Sequence, residues 1–391
     1  MIIFHCLAIG TENAERIRPR GVAGLPQDRR IAVLKAFDSF AATKILARGK
    51  RMRMLRIAFL VAIVLACSCV VWADPVSGTL FFTTFAGGEN VHSVTYNFDG
   101  TTFTLGAVNN VAATQGADGL LFAPDGNLIV AGQGNNLTEV TTGGTIVKTV
   151  APGNPAFHLA LSSNSSNALL YSMWNGGGGA QIAATQLSGG GLPASSGIPY
   201  TVSCAAIFCS STDVRGVIFD PANNTWYYGT APDGGSGDFG TVVFDDTAHT
   251  ATLTPILFGV FAHGLTFDPF TNDVFISSAG VISQFDPGSN SIIGNVFGSG
   301  NFDQSAADGK GHLFVASNGG GLEFIDYSAT KNIVGSFTAE PFLAGALDDI
   351  APLSGIGGGG GSVPEPSSIL LLGSVLGGLI AYRARRKARQ A

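Results

Sequence analysis

Basic residues are almost missing from the middle of this chain. Between Asp74 and Ser362 there are 4 Lys/Arg (Lys148, Arg215, Lys310 and Lys331) against 22 Asp/Glu. A nucleic-acid binder needs a basic face to meet phosphates, so that class is excluded. Charge of either sign is scarce, at 12% of 391 residues, while 46% are hydrophobic. That balance excludes a charged, extended disordered protein and leaves ample apolar surface for a core. Cysteine is scarce too: beyond residue 73 only Cys204 and Cys209 remain. No Gly-Lys-Ser/Thr phosphate loop is present, and no Gly-x-Ser-x-Gly elbow stands between a strand and a helix.

The missing basic residues sit at the two ends. Up to Ala73 there are 12 Lys/Arg and 4 Asp/Glu, and from Val363 onward 5 Lys/Arg and one Glu. Three compositions in one chain predict two targeting ends around one passenger. Arg51-Met52-Arg53-Met54-Leu55-Arg56 forms a basic start, Ile57 to Val71 is an uncharged apolar run, and Val71-Trp72-Ala73 places small residues before Asp74. This is the pattern of a secretory signal peptide over 52–73, cut after Ala73. The run is short for a membrane-spanning helix, which is the competing reading. Val64-Leu65-Ala66-Cys67 offers a second cut of lipoprotein type, at Cys67. Residues 1–51 fit no part of such a signal, and a start at Met52 or Met54 accounts for them most simply.

At the other end a glycine tract, Gly357 to Gly361, leads through 354–362 into Val363-Pro364-Glu365-Pro366. An uncharged apolar segment, 367–382, follows and is closed by Arg383-Ala384-Arg385-Arg386-Lys387-Ala388-Arg389. A flexible linker, a rigid turn and a transmembrane helix with a cytoplasmic basic stop are predicted. Gly373, Gly377 and Gly378 suit close helix packing in a membrane. The order of parts over 363–391 resembles the PEP-CTERM sorting signal of exported bacterial proteins. The resemblance implies recognition by an exosortase after passage through the secretion machinery, with processing near Pro-Glu-Pro. It also implies delivery to the cell envelope or extracellular matrix of a Gram-negative bacterium, where exopolysaccharide is the expected companion. A plain C-terminal membrane anchor is the competing reading.

The passenger, 74–353, is rich in Gly, Thr, Asn, Val and Phe and poor in helix formers. Short alternating apolar runs are separated by turn signals such as Pro124-Asp125-Gly126-Asn127 and Asp220-Pro221-Ala222-Asn223, an all-β pattern. A strand–turn–strand unit recurs, clearest from Gly119 to Val130, from Gly216 to Tyr228 and from Gly264 to Ile276. Each copy is followed by two more strand-like runs, and four strands per repeat make a propeller blade. Five blades are legible. Three strand-like runs near the start and one lone strand, Leu347 to Pro352, complete a sixth, so the prediction is a six-bladed β-propeller closed by N- and C-terminal strands. Seven blades, or a pair of non-closed sandwiches, are the alternatives. The repeat resembles the NHL, streptogramin-lyase and SMP-30-like propellers, a likeness of folding motifs rather than chemistry.

Inner strands of a propeller start at one mouth of its channel. The residues expected there are Asp118, His158, Arg215, His263, Asp303 and Asp348. This polar ring is the candidate site for a divalent cation or small substrate, against the plainer reading of a water-filled mouth. No cofactor is otherwise indicated. Cys204 and Cys209 are expected to pair in an oxidising compartment, with two buried thiols as the alternative. The Asp-rich turns 268–273 and 286–290 carry oxygens that suit calcium but are also what ordinary turns need. Two functions follow: a non-catalytic surface module that binds exopolysaccharide or protein partners, or an extracytoplasmic lyase or lactonase working at the channel mouth.

Overall fold

The computed structural model describes residues 76–352, apart from 86–87, 133–135, 153–155, 174–181, 196, 206–208 and 232–236. The expected signal peptide, extension, linker and C-terminal helix lie outside the described residues. Within them the protein is all-β. No described helix is long and apolar enough to cross a membrane.

The described residues start with β1 (Val76–Thr84), β2 (Gly88–Phe98) and β3 (Phe103–Thr114), an antiparallel meander. A second sheet follows from β4 (Leu120–Phe122), β5 (Leu128–Gly132), β6 (Asn136–Val140) and β7 (Ile146–Val150). The third unit is β8 (Leu159–Leu161), β9 (Leu169–Met173), β10 (Ile182–Gln186) and β11 (Ile198–Cys204). The fourth is β12 (Val214–Asp220), β13 (Thr225–Thr230), β14 (Asp238–Asp245) and β15 (Thr250–Phe258). The outer strands β11 and β15 pair in parallel and join the third and fourth units.

Next come β16 (Gly264–Asp268), β17 (Asp273–Asp286) and β18 (Ser291–Ala307). The first part of β17 pairs with β16 and its second part with β18. Gln284 Nε2 donates to Asp273 Oδ2 at 2.5 Å. Eleven residues of straight strand would hold these groups more than 30 Å apart, roughly. The strand therefore doubles back, and Gly280, at φ +77°, supplies the left-handed bend. β18 likewise serves two units, its far end pairing with β19 (His312–Ser317), which pairs with β20 (Leu322–Asp326). The two-residue β21 (Val334–Gly335) pairs in parallel with β18. The last strand, β22 (Leu347–Pro352), pairs antiparallel with β1, so strands from the two ends share one sheet.

The inner strands close a circuit: β22 abuts β4, β4 abuts β8, then β12, β16, the far end of β18, and β22 again. The core is spread round this circuit as clusters between neighbouring units. Phe98, Phe314 and Phe324 pack with Leu80 and Leu347; Tyr227 and Phe239 pack with Leu265 and Phe285; Phe275 packs with Phe302 and Tyr327. Phe98 and Phe324 are fully buried with ring centroids 5.0 Å apart. Burying each such ring contributes about 1.5–3 kcal/mol. The turns are fixed locally. Asp268 accepts from the amides of Phe270 and Thr271, and Asn272 takes φ 64°; Asp286 accepts from Gly288 N, and Asn290 takes φ 52°. Their carboxylates are thus engaged by their own backbones, which is turn chemistry.

Candidate functional site: the polar ring and the channel

Asp118, His158 and His263 lie just before an inner strand, Arg215 and Asp348 are the second residues of theirs, and Asp303 lies within β18, near the start of the part that pairs with β19. Asp118 N donates to Ala131 O, Met173 N to His158 O, and His263 N to Ser277 O. Two glycines let the inner strands close in. A Cβ at Gly119 would collide with the Phe157 carbonyl oxygen, and one at Gly264 with that of Asp303. The Gly after the polar residue is therefore a packing device that brings neighbouring ring positions together.

Asp303 is the centre of the ring. Its Oδ1 lies 2.7 Å from His263 Nδ1 and 3.6 Å from His158 Nε2, and the two imidazoles meet edge to face at 5.0 Å. Its Oδ2 accepts from Asn318 Nδ2 at 2.9 Å. The same amide reaches Asp348 Oδ1 at 3.5 Å. Arg215 pairs with Asp213 at 3.2 Å. Asp118 and Arg215 act on the cluster through their charge.

Burial is the dominant electrostatic fact. His158, Asp118, Arg215, Asp303 and Asp348 are all at most 5% exposed, and only His263 is partly open. Desolvation lowers the His158 pKa to about 4, against the pull of Asp303, so this ring is neutral near pH 7. Burial works against a charged His263 as well, but the Asp303 carboxylate outweighs it and raises its pKa. Burial would raise Asp303, yet the charge of His263 beside it holds it well below the usual carboxylate range. Asp348 is pushed far up by burial and by the Asp118 charge, so it keeps its proton. Two neighbouring carboxyls thus have opposite protonation, the arrangement acid–base sites use.

The ring is a plug rather than an open mouth. Beyond it, toward the C-terminal ends of the inner strands, lies a cavity of about 380 Å³. Its wall includes Leu120, Phe122, Leu159, Ile218, Leu265 and Ile350, and its outer end is formed by turn residues such as Asn164, Pro221 and Pro269. The cavity begins with Gln304 and Asp349, each one residue past a ring position. Asp349 is fully buried, which raises its pKa; its Oδ2 accepts from Leu120 N at 2.7 Å. Asp349 N donates to Thr83 Oγ1 at 3.0 Å, and Thr83 Oγ1 donates to the Asp118 carbonyl at 2.5 Å. Sequence reasoning missed Asn318, Asp349 and Asp213. Asp349 had one signal, a second acid directly after Asp348; Asn318 had none.

Away from the ring, Cys204 and Cys209 are joined by a disulfide. Val363 to Pro366 lie outside the described residues.

A circuit of antiparallel sheets with inner strands around a channel defines a β-propeller. The family model of the PEP-CTERM protein-sorting motif matches residues 362–387, so the chain carries that motif behind its propeller. The motif implies an exported protein that is processed by an exosortase and anchored in the membrane before processing. No curated relative matches the sequence. The fold is similar to a chain in the crystallised nidogen/laminin complex, with TM-score 0.51, 13% identity, and coverage of 70% of this chain and 97% of that one. It is also similar to the WD40 β-propeller domain of Doa1 (TM-score 0.42, 12% identity, 70% and 83% covered). A gluconolactonase from Xanthomonas campestris is a further neighbour (TM-score 0.41, 14% identity, 60% and 84% covered). At these identities the likeness is one of fold alone.

Proposed function

We propose that this protein is an exported six-bladed β-propeller, sorted by an exosortase, that serves as a non-catalytic binding module at the cell envelope or in the extracellular matrix. The observation that carries this reading is the PEP-CTERM match at 362–387 behind a propeller. The count of six is supported by the inner-strand circuit of β22, β4, β8, β12, β16 and β18. Residues 52–73 act as the signal peptide, 74–353 as the passenger and 354–362 as the linker. The helix 367–382 holds the precursor in the inner membrane of a Gram-negative cell, with the arginine cluster on the cytoplasmic side. The partner is an exopolysaccharide or a matrix protein. With 22 Asp/Glu and 4 Lys/Arg from Asp74 to Ser362, an anionic polymer is met through neutral hydrogen bonds or bridging cations rather than ion pairs. Burial of the ring supports a binding role, because a substrate entering from that side finds only His263 partly open.

The test is cell fractionation of a host that carries the exosortase. The wild-type chain is expected to lose its C-terminal segment and reach the envelope or medium. The Pro364→Ala/Glu365→Ala variant is expected to accumulate uncut in the inner membrane. Equal processing of the two would refute the sorting reading, and failure of the mature protein to bind the producer's own exopolysaccharide or matrix would refute the binding role. A second reading, a lyase or lactonase-like enzyme, is favoured by one observation, the gathering of Asp303 and Asp348 about the Asn318 amide with His263 2.7 Å from Asp303.

A further inference from the structure

The ring contains donor atoms that its own hydrogen bonds do not use. His263 Nδ1 and Asp303 Oδ1 are 2.7 Å apart but lie off the axis of a hydrogen bond, and neither is otherwise partnered. Asp303 is 5% exposed and His158 1% exposed. His158 Nε2, His263 Nδ1 and an Asp303 carboxylate oxygen all lie within 4.8 Å of one another. The donors sit just before β8, just before β16 and within β18, and the glycine at position 264 permits the close approach. A buried polar atom without a partner is costly, and an ion lying between such atoms would satisfy them together.

We propose that His158 Nε2, His263 Nδ1 and Asp303 Oδ1 bind one divalent transition-metal ion of the zinc class at the closed end of the channel. The metal class follows from the donors. Two imidazole nitrogens and one carboxylate oxygen suit zinc and its first-row neighbours, whereas calcium and magnesium take oxygen sets. Tetrahedral zinc with bonds near 2.1 Å keeps its ligands roughly 3.4 Å apart. The 3.6 Å between His158 and Asp303 already fits, and the 2.7 Å between His263 and Asp303 must open by less than about 1 Å. Asn318 acts as a positioning residue: its amide holds Asp303 Oδ2 at 2.9 Å, leaving Oδ1 to the histidines. Arg215 does not counter the ion with an unbalanced charge, because Asp213 pairs with it at 3.2 Å. Three protein ligands leave a fourth position for water or a ligand atom. This inference stands apart from the sorting reading, which can fail without touching it.

The test uses the full-length protein, purified without a histidine tag and stripped with chelator. It is then dialysed against Zn(II), Co(II), Cu(II) or Ca(II), and metal content is measured by plasma mass spectrometry. One equivalent of Zn(II) or Co(II) and no stoichiometric Ca(II) are expected. Electron paramagnetic resonance of the Cu(II) form should show nitrogen coupling from two imidazoles. His263→Gln and Asp303→Asn should abolish stoichiometric uptake, and Asn318→Ala should weaken it about 10–100-fold. Uptake weaker than millimolar, or a Cu(II) spectrum without imidazole nitrogens, would overturn the proposal using the wild-type protein alone, whether or not the variants fold. Unchanged affinity in a folded His263→Gln protein would overturn it as well.

Discussion

Asp349 ties the closing strand to two others, and replacing it tests the closure quantitatively. Its Oδ2 accepts from Leu120 N on β4 at 2.7 Å, and its amide donates to Thr83 on β1. The side chain is 2% exposed, and burial raises its pKa well above the usual value. Asp349→Ala leaves the buried Leu120 amide without an acceptor, at a cost of about 1–3 kcal/mol before any cavity is counted. Asp349→Asn needs no proton and keeps one acceptor oxygen, enough for Leu120 N but not also for Ile350 N, which donates to Asp349 Oδ1 at 2.6 Å. The sign of the pH effect is fixed by the raised pKa. The acid's contribution is complete below the unfolded-state value near 4 and is lost as pH rises toward the folded-state value. One retained proton corresponds to about 1.4 kcal/mol per pH unit, so from pH 5 to pH 7 the wild type should lose up to about 3 kcal/mol relative to Asp349→Asn. Urea denaturation of both proteins at pH 5, 6 and 7 measures this difference. Parallel stability curves would mean that Asp349 is ionised in the folded protein, and the account of a neutral buried acid would fall.

Two further outcomes are expected. Gly119→Ala places a Cβ against the Phe157 carbonyl oxygen; it should cost about 1–3 kcal/mol in denaturant unfolding, and an unchanged midpoint would refute the close approach of β4 to β8. Glu323 is pushed up to about 7 by burial and by the Glu340 charge, so its stabilising proton is present below about 4.5 and lost as pH rises through 7. Glu323→Gln should therefore gain on the wild type between pH 5 and pH 8, by about 1–3 kcal/mol after allowance for solvent screening. Thermal unfolding at the two pH values checks this, and an equal gain at both would contradict it.

The ring register was legible because the repeat writes it locally. Asp118, Arg215 and His263 are each followed by glycine and then an apolar inner strand, so one copy aligns the next. The closure of β1 by β22 was legible for a similar reason: three strands at one end and one at the other make a whole sheet. Burial of the ring was not legible, because it arises where separate inner strands converge and no local run records that convergence. Nor was the parallel pairing of β11 with β15, which depends on how far two outer strands lean toward each other. Asn318 escaped because it sits past the end of β19, in a stretch that reads as an ordinary Asn-Gly turn.

The seam between β1 and β22 also sets an order in time. The hydrogen bond from Asp349 N to Thr83 spans 266 residues, so the circuit cannot close until almost the whole passenger has crossed the membrane. Only 11 residues separate Pro352 from Pro364, a reach of roughly 40 Å. For a chain exported N-terminus first, the latch and the sorting motif emerge nearly together, and final folding competes with processing for the same short stretch of newly arrived chain.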